Sequence, residues 1–446
     1  MFILNDLLNP LQEQFSNTKQ GKKRKVWFVY TLLAMVVPFT SSMTSNLLRS
    51  LNTLFGLNIK SQRFYTFMAS PTLPWPALWQ AMWDLIPNPA TDGRIMVALD
   101  DSINPKSGKK IFGCGNFHDH AAKREQSSYP WSQCIVVIGL LKKVKSRWAC
   151  LPLSFRFYMM KKMIEEKSIN VQCKGKAVAF ESKMEQAAKM IREVYAHYRQ
   201  NILVVTDSWF GNDGLWSRLG RGCNGIFHLL SRLRSNTVLY DYPSVEGKKN
   251  KRAGRPKKYG IRLGSVDECA ARWREKAIEY SVFLYGKKRK VMAYTQDVMA
   301  KNMKSPVRVV WVYRKMRYVS LMTTDLTLTV EQIIEYYGAR WKIESGFKEI
   351  KQEIGSSKSQ TRNAIAVSNH LNFCIMSTTL IWIYADLLQD APDRKHKVRG
   401  RSSYAFSDVR RIIAEAALNP DFRRVCPLPI KAPLNSFIQT LLRMVA

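Results

Sequence analysis

Two short apolar runs, each followed directly by an aspartate, constrain the fold of this chain most strongly. RIMVAL at 94–99 precedes Asp100, and NILVVT at 201–206 precedes Asp207. Continuous apolar runs of this length are typical of strands that are buried on both faces of a sheet. Between them lie two further apolar runs and a segment with one apolar face, at 134–141, 148–155 and 180–198. The order strand, strand, strand, helix, strand predicts an α/β fold.

A helix is predicted further along the chain, over residues 331–354, from the spacing of its apolar residues. At about 100° per residue, Tyr337, Arg340, Glu344 and Lys351 lie within roughly 60° of one another on that helix. A phenol, a guanidinium, a carboxylate and an ammonium on one face form a candidate site. Spacing alone leaves a second interpretation open, in which these residues form ion pairs on a solvated helix face.

The spacing Y-x2-R-x3-E-x6-K of these four residues resembles the signature that closes the catalytic domain of DDE transposases, in the family four branch of bacterial insertion sequences. The resemblance extends over residues 94–355 and implies a ribonuclease H-like fold. In that fold, one aspartate ends the first strand and another ends the fourth. Asp100 and Asp207 occupy those two places in the order of predicted elements, so the strand pattern and the signature agree.

Two neighbouring aspartates compete for the first of these places. Strand alternation sends Asp100 and Asp101 to opposite faces of the sheet, so they are not equivalent. The family pattern D-x-S/T selects Asp100, with Ser102 as the third residue of the pattern. Asp101 is then expected to be a loop carboxylate, or one that supports the site indirectly.

The charge of the chain indicates a polyanionic partner. Its 446 residues include 70 Lys and Arg against 34 Asp and Glu, which gives a net charge of +36. Lys and Arg supply most of the non-specific affinity for nucleic acid by neutralising phosphates, so double-stranded DNA is the expected partner. An anionic membrane surface is the alternative.

Three segments follow from these patterns. Residues 1–93 are predicted to be a helical N-terminal region that binds DNA, although a plain helical packing domain fits nearly as well. Residues 94–355 are predicted to be the ribonuclease H-like catalytic domain, with a mainly β insertion at about 234–326. Residues 356–446 are predicted to be a helical C-terminal region. The apolar runs at 26–39 and 369–388 are read as core helices and not as membrane spans.

A short basic loop inside the insertion is weaker evidence for DNA binding. Arg252, Arg255, Lys257 and Lys258 surround a Gly-Arg-Pro core that resembles an AT-hook, which reads a narrow minor groove. A hairpin that contacts only phosphates explains the same residues.

The eight cysteines form no C-x-x-C pair and have no histidine at zinc spacing. They are expected to be reduced thiols, which indicates a cytoplasmic protein that in a bacterium would be associated with the nucleoid.

The resemblance also implies the chemistry. Such an enzyme nicks the ends of its insertion sequence and joins the free 3′ hydroxyl to target DNA by transesterification, acting as a homodimer on the DNA. Asp100, Asp207 and Glu344 would hold two Mg²⁺ or Mn²⁺ ions, which prefer hard oxygen ligands. Tyr337, Arg340 and Lys351 would contact the phosphates of the DNA.

Two other classes of protein are compatible with the sequence. A repressor descended from a transposase would keep the fold and the charge without the chemistry. A nuclease of the same fold would cleave DNA without joining it. The repressor is disfavoured because Asp100, Asp207 and Glu344 are all present. The sequence does not distinguish a transposase from a nuclease of the same fold.

Overall fold

The structure is a computed structural model that describes residues 2–38, 41–119, 122–166, 172–173, 176–243, 257–396 and 403–417. The α-helices in this part of the chain are α1 Phe2–Glu13, α2 Lys19–Val36, α3 Thr44–Thr53, α4 Ser61–Met68, α5 Trp75–Asp84, α6 Lys161–Glu165, α7 Lys183–Tyr198, α8 Asp213–Arg218, α9 Val266–Arg272, α10 Val330–Ala339, α11 Trp341–Lys348, α12 Ala364–Leu387 and α13 Phe406–Ala417.

The strands are β1 Ala90–Thr91, β2 Arg94–Pro105, β3 Cys114–Asn116, β4 Trp131–Val144, β5 Arg147–Tyr158, β6 Gln172–Cys173, β7 Lys176–Ala177, β8 Ile202–Thr206, β9 Phe227–Arg232, β10 Val238–Tyr240, β11 Arg262–Ser265, β12 Ile278–Leu284, β13 Lys287–Ala300, β14 Ser305–Arg314 and β15 Arg317–Thr323. The predicted order of three strands, a helix and a strand is confirmed by β2, β4, β5, α7 and β8.

The chain divides into two compact units that are interleaved in the sequence. Unit one consists of Met1–Pro89, Asp101–Lys183 and Glu344–Ala446, and unit two consists of Ala90–Asp100 and Met184–Ile343. These boundaries differ from the predicted segments 1–93, 94–355 and 356–446. The reason is that periodicity reports local structure and not which distant segments pack together.

A mixed sheet forms the centre of unit two. β2, β8 and β9 are parallel, with Ile95 opposite Ile202 and Ile202 opposite Phe227. β9 pairs antiparallel with β15, and the sheet continues through β14 and β13 to β10 and β11, while β12 also pairs with β13. The insertion predicted at 234–326 is therefore mainly β, and it extends the sheet beyond β9. This mixed α/β arrangement is consistent with a ribonuclease H-like fold.

Strand β2 runs past the aspartate at which the sequence placed its end. The strand spans Arg94–Pro105, whereas its parallel partner β8 ends at Thr206. Leu99 is the last residue of β2 that pairs with β8. Asp100 therefore marks the end of the parallel pairing and not the end of the strand. Three consecutive polar residues are common in turns, which is why the sequence pattern ended the strand too early.

The helix predicted over 331–354 is confirmed in position, but it is interrupted and not one continuous helix. α10 ends at Ala339 and α11 begins at Trp341. At the break, the amide of Arg340 donates to the carbonyl of Tyr337, so a three-residue spacing replaces the four-residue spacing of an α-helix.

A second irregularity follows α11, where Glu349–Glu353 forms a π-helical turn. The amide of Ile354 donates to the carbonyl of Glu349 at 2.9 Å, which is a five-residue spacing. The side chain of Glu349 is buried and accepts a hydrogen bond from the indole of Trp382 in α12 at 2.9 Å. Uniform helical geometry therefore does not hold from Tyr337 to Lys351.

Helix α12 is the centre of unit one. The side chain of Asn363 caps its first turn by accepting hydrogen bonds from the amides of Ile365 and Ala366, both at 3.0 Å. Helices α1, α2, α4, α5 and α13 and strand β5 pack around it. By length and composition α12 could cross a membrane, but 83% of its most apolar window is buried inside the protein. This burial favours the predicted core helix.

Buried His370 of α12 predicts an acid-sensitive contribution to stability. Burial lowers its pKa to about 4, and its Nε2 lies 2.6 Å from the carbonyl oxygen of Ser42. Between the ordinary pKa of about 6.5 and this lowered value, the unfolded chain binds a proton that the folded chain does not, so stability falls as the pH falls. We expect wild type to lose roughly 3 kcal/mol more than His370→Gln between pH 7 and pH 4. Urea titrations at both pH values measure this, and equal losses would contradict it.

Candidate active site

Asp100 and Asp207 follow the last paired residues of two neighbouring parallel strands. Leu99 of β2 lies opposite Thr206 of β8, and the hydroxyl of Thr206 donates to the carbonyl of Leu99 at 3.0 Å. The residue that follows each of them in the chain is the aspartate. Adjacent strands lie about 4.8 Å apart, so the two carboxylates occupy neighbouring positions at one edge of the sheet. Both side chains are half-buried.

Strand β9 places a third residue, Arg232, next to these two carboxylates. Asp100, Asp207 and Arg232 are called the row below. Ser231 lies opposite Thr206, and exposed Arg232 follows it beside Asp207. The sequence analysis did not select Arg232 as a site residue. The signal that could have found it is the rule that open α/β sheets bind ligands beyond the carboxyl ends of their parallel strands.

The loop after β8 fixes the carboxylate of Asp207. Its Oδ1 accepts hydrogen bonds from the amides of Trp209 at 3.0 Å and Phe210 at 3.1 Å. Its backbone carbonyl accepts a hydrogen bond from the hydroxyl of Ser231 at 2.7 Å. A carboxylate held by local backbone in this way has little freedom to rotate.

This loop leaves no room for a side chain at Gly211. An added Cβ would lie 2.0 Å from the hydroxyl oxygen of Ser231, whereas one at Gly346 of α11 would meet nothing within 4 Å. We expect Gly211→Ala to destabilise the protein by about 1–3 kcal/mol because neighbouring atoms must shift. Gly346→Ala should stabilise it by roughly 0.5–1 kcal/mol, since alanine favours a helix. Thermal melts of both variants test this; equal melting temperatures would contradict the close packing at Gly211.

Arg340 lies beside Asp100. Its Nη1 is 3.4 Å from Oδ2 of Asp100, and only 7% of the arginine side chain is exposed. Its guanidinium carbon lies 5.7 Å from the centre of the Tyr337 ring and 5.2 Å from that of Trp341. The buried guanidinium thus sits between an aspartate and two aromatic rings, within cation–π distance of both.

Burial and nearby charges both affect the pKa of the Tyr337 hydroxyl. Burial raises the pKa of its hydroxyl, while Arg340 and Arg232 act in the opposite direction and Asp207 raises it further. Two cations and one carboxylate therefore act on this phenol. Unit two brings together Asp100, Asp207, Tyr337 and Arg340 of the predicted site.

Asp101 has a separate set of contacts in unit one. Its Oδ2 accepts a hydrogen bond from the ammonium of Lys183 at 2.8 Å, and the thiol of Cys134 lies 3.7 Å from the same oxygen. The Lys183 ammonium also lies 5.0 Å from the centre of the Tyr158 ring. Asp101 therefore lies within β2 and not in a loop as expected, and it forms an ion pair with Lys183.

Lys351 has partners that the sequence did not predict. Its ammonium donates to the hydroxyl of Ser102 and to the carbonyl of Ile103, both at 2.6 Å. Burial lowers the pKa of Lys351, although Asp119, Cys134 and Asp101 oppose the shift. In unit one, Lys351 therefore fastens the π-helical turn to the second half of β2.

Glu344 is exposed on α11 and belongs to unit one, whereas Asp100 and Asp207 belong to unit two. Lys257 and Lys258 are exposed, and Arg252 and Arg255 lie outside the described residues. Within the described part of the chain, no three His, Cys, Asp or Glu side chains are close enough together to hold a metal ion.

A cleft of about 390 Å³ adjoins the end of β9 in unit two. Its lining contains three basic residues and several amides and hydroxyls, including Ser208, Asn212, Arg232, Arg234, Lys301 and Asn302. Ser208 directly follows Asp207 in the chain, so the cleft begins beside that carboxylate. Guanidinium, ammonium, amide and hydroxyl groups are the donors that proteins use to bind DNA phosphates.

The chain belongs to the DDE superfamily endonucleases, because residues 10–295, well over half of the sequence, match that family. This match contains Asp100 and Asp207. Residues 291–387 match a second family, described as archaeal putative transposase ISC1217, and this match contains Tyr337, Arg340, Glu344 and Lys351. No curated protein matches the chain. The two matches support a transposase-type function, with nuclease or transposase activity.

Proposed function

We propose that this protein is a DNA transposase of the family four type. It nicks the ends of its insertion sequence and joins the resulting 3′ hydroxyl to target DNA. The observation that supports the proposal is the row of Asp100, Asp207 and Arg232, each of which directly follows the last residue that its strand pairs in the parallel β2–β8–β9 register. Two carboxylates that would bind a metal ion thus lie beside one cation that would hold a phosphate.

The acidic residues fit a hard divalent cation such as Mg²⁺ or Mn²⁺. Carboxylate oxygens are the preferred ligands of both ions, and Asp207 is held in place by two backbone amides. We assign Glu344 as the third ligand on the strength of the signature alone. When bound, the ions supply charge stabilisation for the reacting phosphodiester.

The residues of the chain would act on the DNA itself. Arg232, Arg234 and Lys301 would bind phosphates along the cleft and so fix the scissile bond beside Asp207. Arg340 would hold the charge and position of Asp100, with which it is in contact. Ser208 and Asn212 would donate hydrogen bonds to phosphate or sugar oxygens.

A strand-transfer assay tests the proposal. Purified protein, Mg²⁺ and a duplex that carries candidate element ends are mixed with a plasmid target, and joined products are separated by size. The proposal expects joined products that are lost when EDTA is added. Cut but unjoined DNA would instead indicate a nuclease, and bound but intact DNA would indicate a repressor.

Removing charge from the cleft should weaken both DNA binding and cleavage. For Arg232→Ala/Arg234→Ala, we expect the slope of log affinity against log salt to fall in magnitude by about 2, since about one unit is lost per phosphate contact. Cleavage at saturating DNA should also fall, because the cleft adjoins Asp207. Filter binding over a range of salt and single-turnover cleavage measure the two effects.

Lys257→Ala/Lys258→Ala is the matched control, since it removes the same charge from the basic loop. If that loop only contacts phosphates, this variant should lower the salt slope and leave cleavage at saturating DNA unchanged. Normal cleavage by the Arg232→Ala/Arg234→Ala variant would contradict the role of the cleft.

A further inference from the structure

A second basic groove lies in unit one, between helices α2 and α4. Its volume is about 360 Å³, and its lining includes Lys23, Arg24, Trp27, Arg63, Thr66 and Phe67. The Trp27 ring packs edge-on against Phe67, with the ring centres 5.6 Å apart. The ammonium of Lys23 lies 5.3 Å from the centre of the Trp27 ring. The groove therefore has an aromatic floor and cationic walls.

The sequence around the groove contains no compensating negative charge. Residues 14–83 include eight Lys or Arg residues and no Asp or Glu. In the part of the chain that the structure describes, no carboxylate forms an ion pair with Lys23, Arg24 or Arg63, and Arg24 instead donates to the hydroxyl of Thr72. Clustered like charges repel one another, so a surface of this kind is stabilised by an anionic ligand.

The folding of α2 explains why these charges are concentrated. Thr18 caps the helix by accepting a hydrogen bond from the amide of Gly21 at 3.1 Å, and the first two turns carry Lys19, Lys22, Lys23, Arg24 and Lys25. From Phe28 onwards every residue of the helix is buried. The basic turns thus project from a helix that is anchored in the core of unit one. The positive end of the helix dipole adds to their field.

We propose that the α2–α4 groove is a second binding site for the phosphate backbone of duplex DNA, distinct from the row of Asp100, Asp207 and Arg232. The identity of the polyanion rests on the proposed function, whereas the groove itself rests on its own residues. Gln20 and Gln62 add side-chain donors for phosphate and sugar oxygens. The ring of Trp27 offers apolar surface for a deoxyribose.

The test measures binding to a mixed-sequence duplex without divalent metal, so that it is independent of cleavage. Lys23→Ala/Arg63→Ala should reduce the magnitude of the salt slope by about 2. The matched control, Arg49→Ala/Lys60→Ala, removes the same charge from exposed residues of the same acid-free stretch that do not line the groove. This control should change the slope by less than half as much. Circular dichroism melts establish that both variants are folded.

Equal changes in the two double variants would overturn the proposal, because the groove would then contribute only general charge. An unchanged slope in Lys23→Ala/Arg63→Ala would overturn it as well. So would loss of binding to phosphatidylserine vesicles with unchanged DNA binding, since the groove would then serve a lipid surface. The groove variant could bind DNA weakly while wild type gives no joined products in the strand-transfer assay. That result would reject the transposase function and still support DNA binding by the groove.

Discussion

Asp100→Asn and Asp207→Asn should each lower the rate of DNA cleavage by about 10²–10³-fold, the typical cost of removing one preorganised electrostatic group. Asparagine keeps the size of the side chain, and at position 207 its Oδ1 can still accept the amide hydrogen bonds of Trp209 and Phe210. The fold should therefore be preserved. Single-turnover cleavage in Mg²⁺ and a metal-free binding assay measure the two properties separately, and binding should remain nearly normal.

Asp101→Asn is the internal control for this prediction. Its carboxylate pairs with Lys183, and its neighbour Asp100 contacts Arg340, so the two aspartates serve different parts of the protein. We expect Asp101→Asn to lower stability and to leave the specific activity of the folded enzyme within a few-fold of wild type. If Asp101→Asn abolishes cleavage and Asp100→Asn does not, our choice between the two aspartates is wrong.

Lys351→Met should lower the free energy of unfolding by about 1.5–3 kcal/mol, the range for hydrogen bonds to charged groups. The substitution removes the ammonium that donates to Ser102 and to the carbonyl of Ile103, both at 2.6 Å. Urea unfolding without DNA or metal measures this loss.

Lys351→Arg separates this structural role from the phosphate-binding role that the signature implies. Arginine keeps the charge, but its larger head does not fit two bonds of 2.6 Å. A structural lysine predicts that both variants lose stability. A lysine that binds phosphate predicts that neither variant does, and that Lys351→Arg retains end binding while Lys351→Met loses it.

Much of the fold could be predicted because it depends on local patterns. Apolar runs located β2, β4, β5 and β8, and one apolar face located α7. The predictions that were wrong concern features that depend on which strands and helices pack together. The pairing of β2 with β8 stops before Asp100 because β8 ends at Thr206, while β2 itself continues to Pro105. The break at Arg340 and the π-helical turn at Glu349 also follow from packing, which apolar spacing does not report.

The candidate site was predictable where a motif named the residue, and not where register decided it. Asp100, Asp207 and Arg340 came from spacing and resemblance. Arg232 carries no motif, and it joins the row only because β9 pairs with β8 in register. Lys351 was assigned to phosphate from its place in the signature, whereas its contacts in the structure are with Ser102 and Ile103.

A change of metal preference tests most directly whether Asp207 is a metal ligand in phosphodiester chemistry. Thiolate is a softer ligand than carboxylate and discriminates against Mg²⁺ more strongly than against Mn²⁺. Cleavage by Asp207→Cys should therefore be lost in Mg²⁺ and partly restored in Mn²⁺, while wild type cleaves in both. Equal activity of the variant in the two metals, or wild-type cleavage that persists in EDTA, would contradict the account.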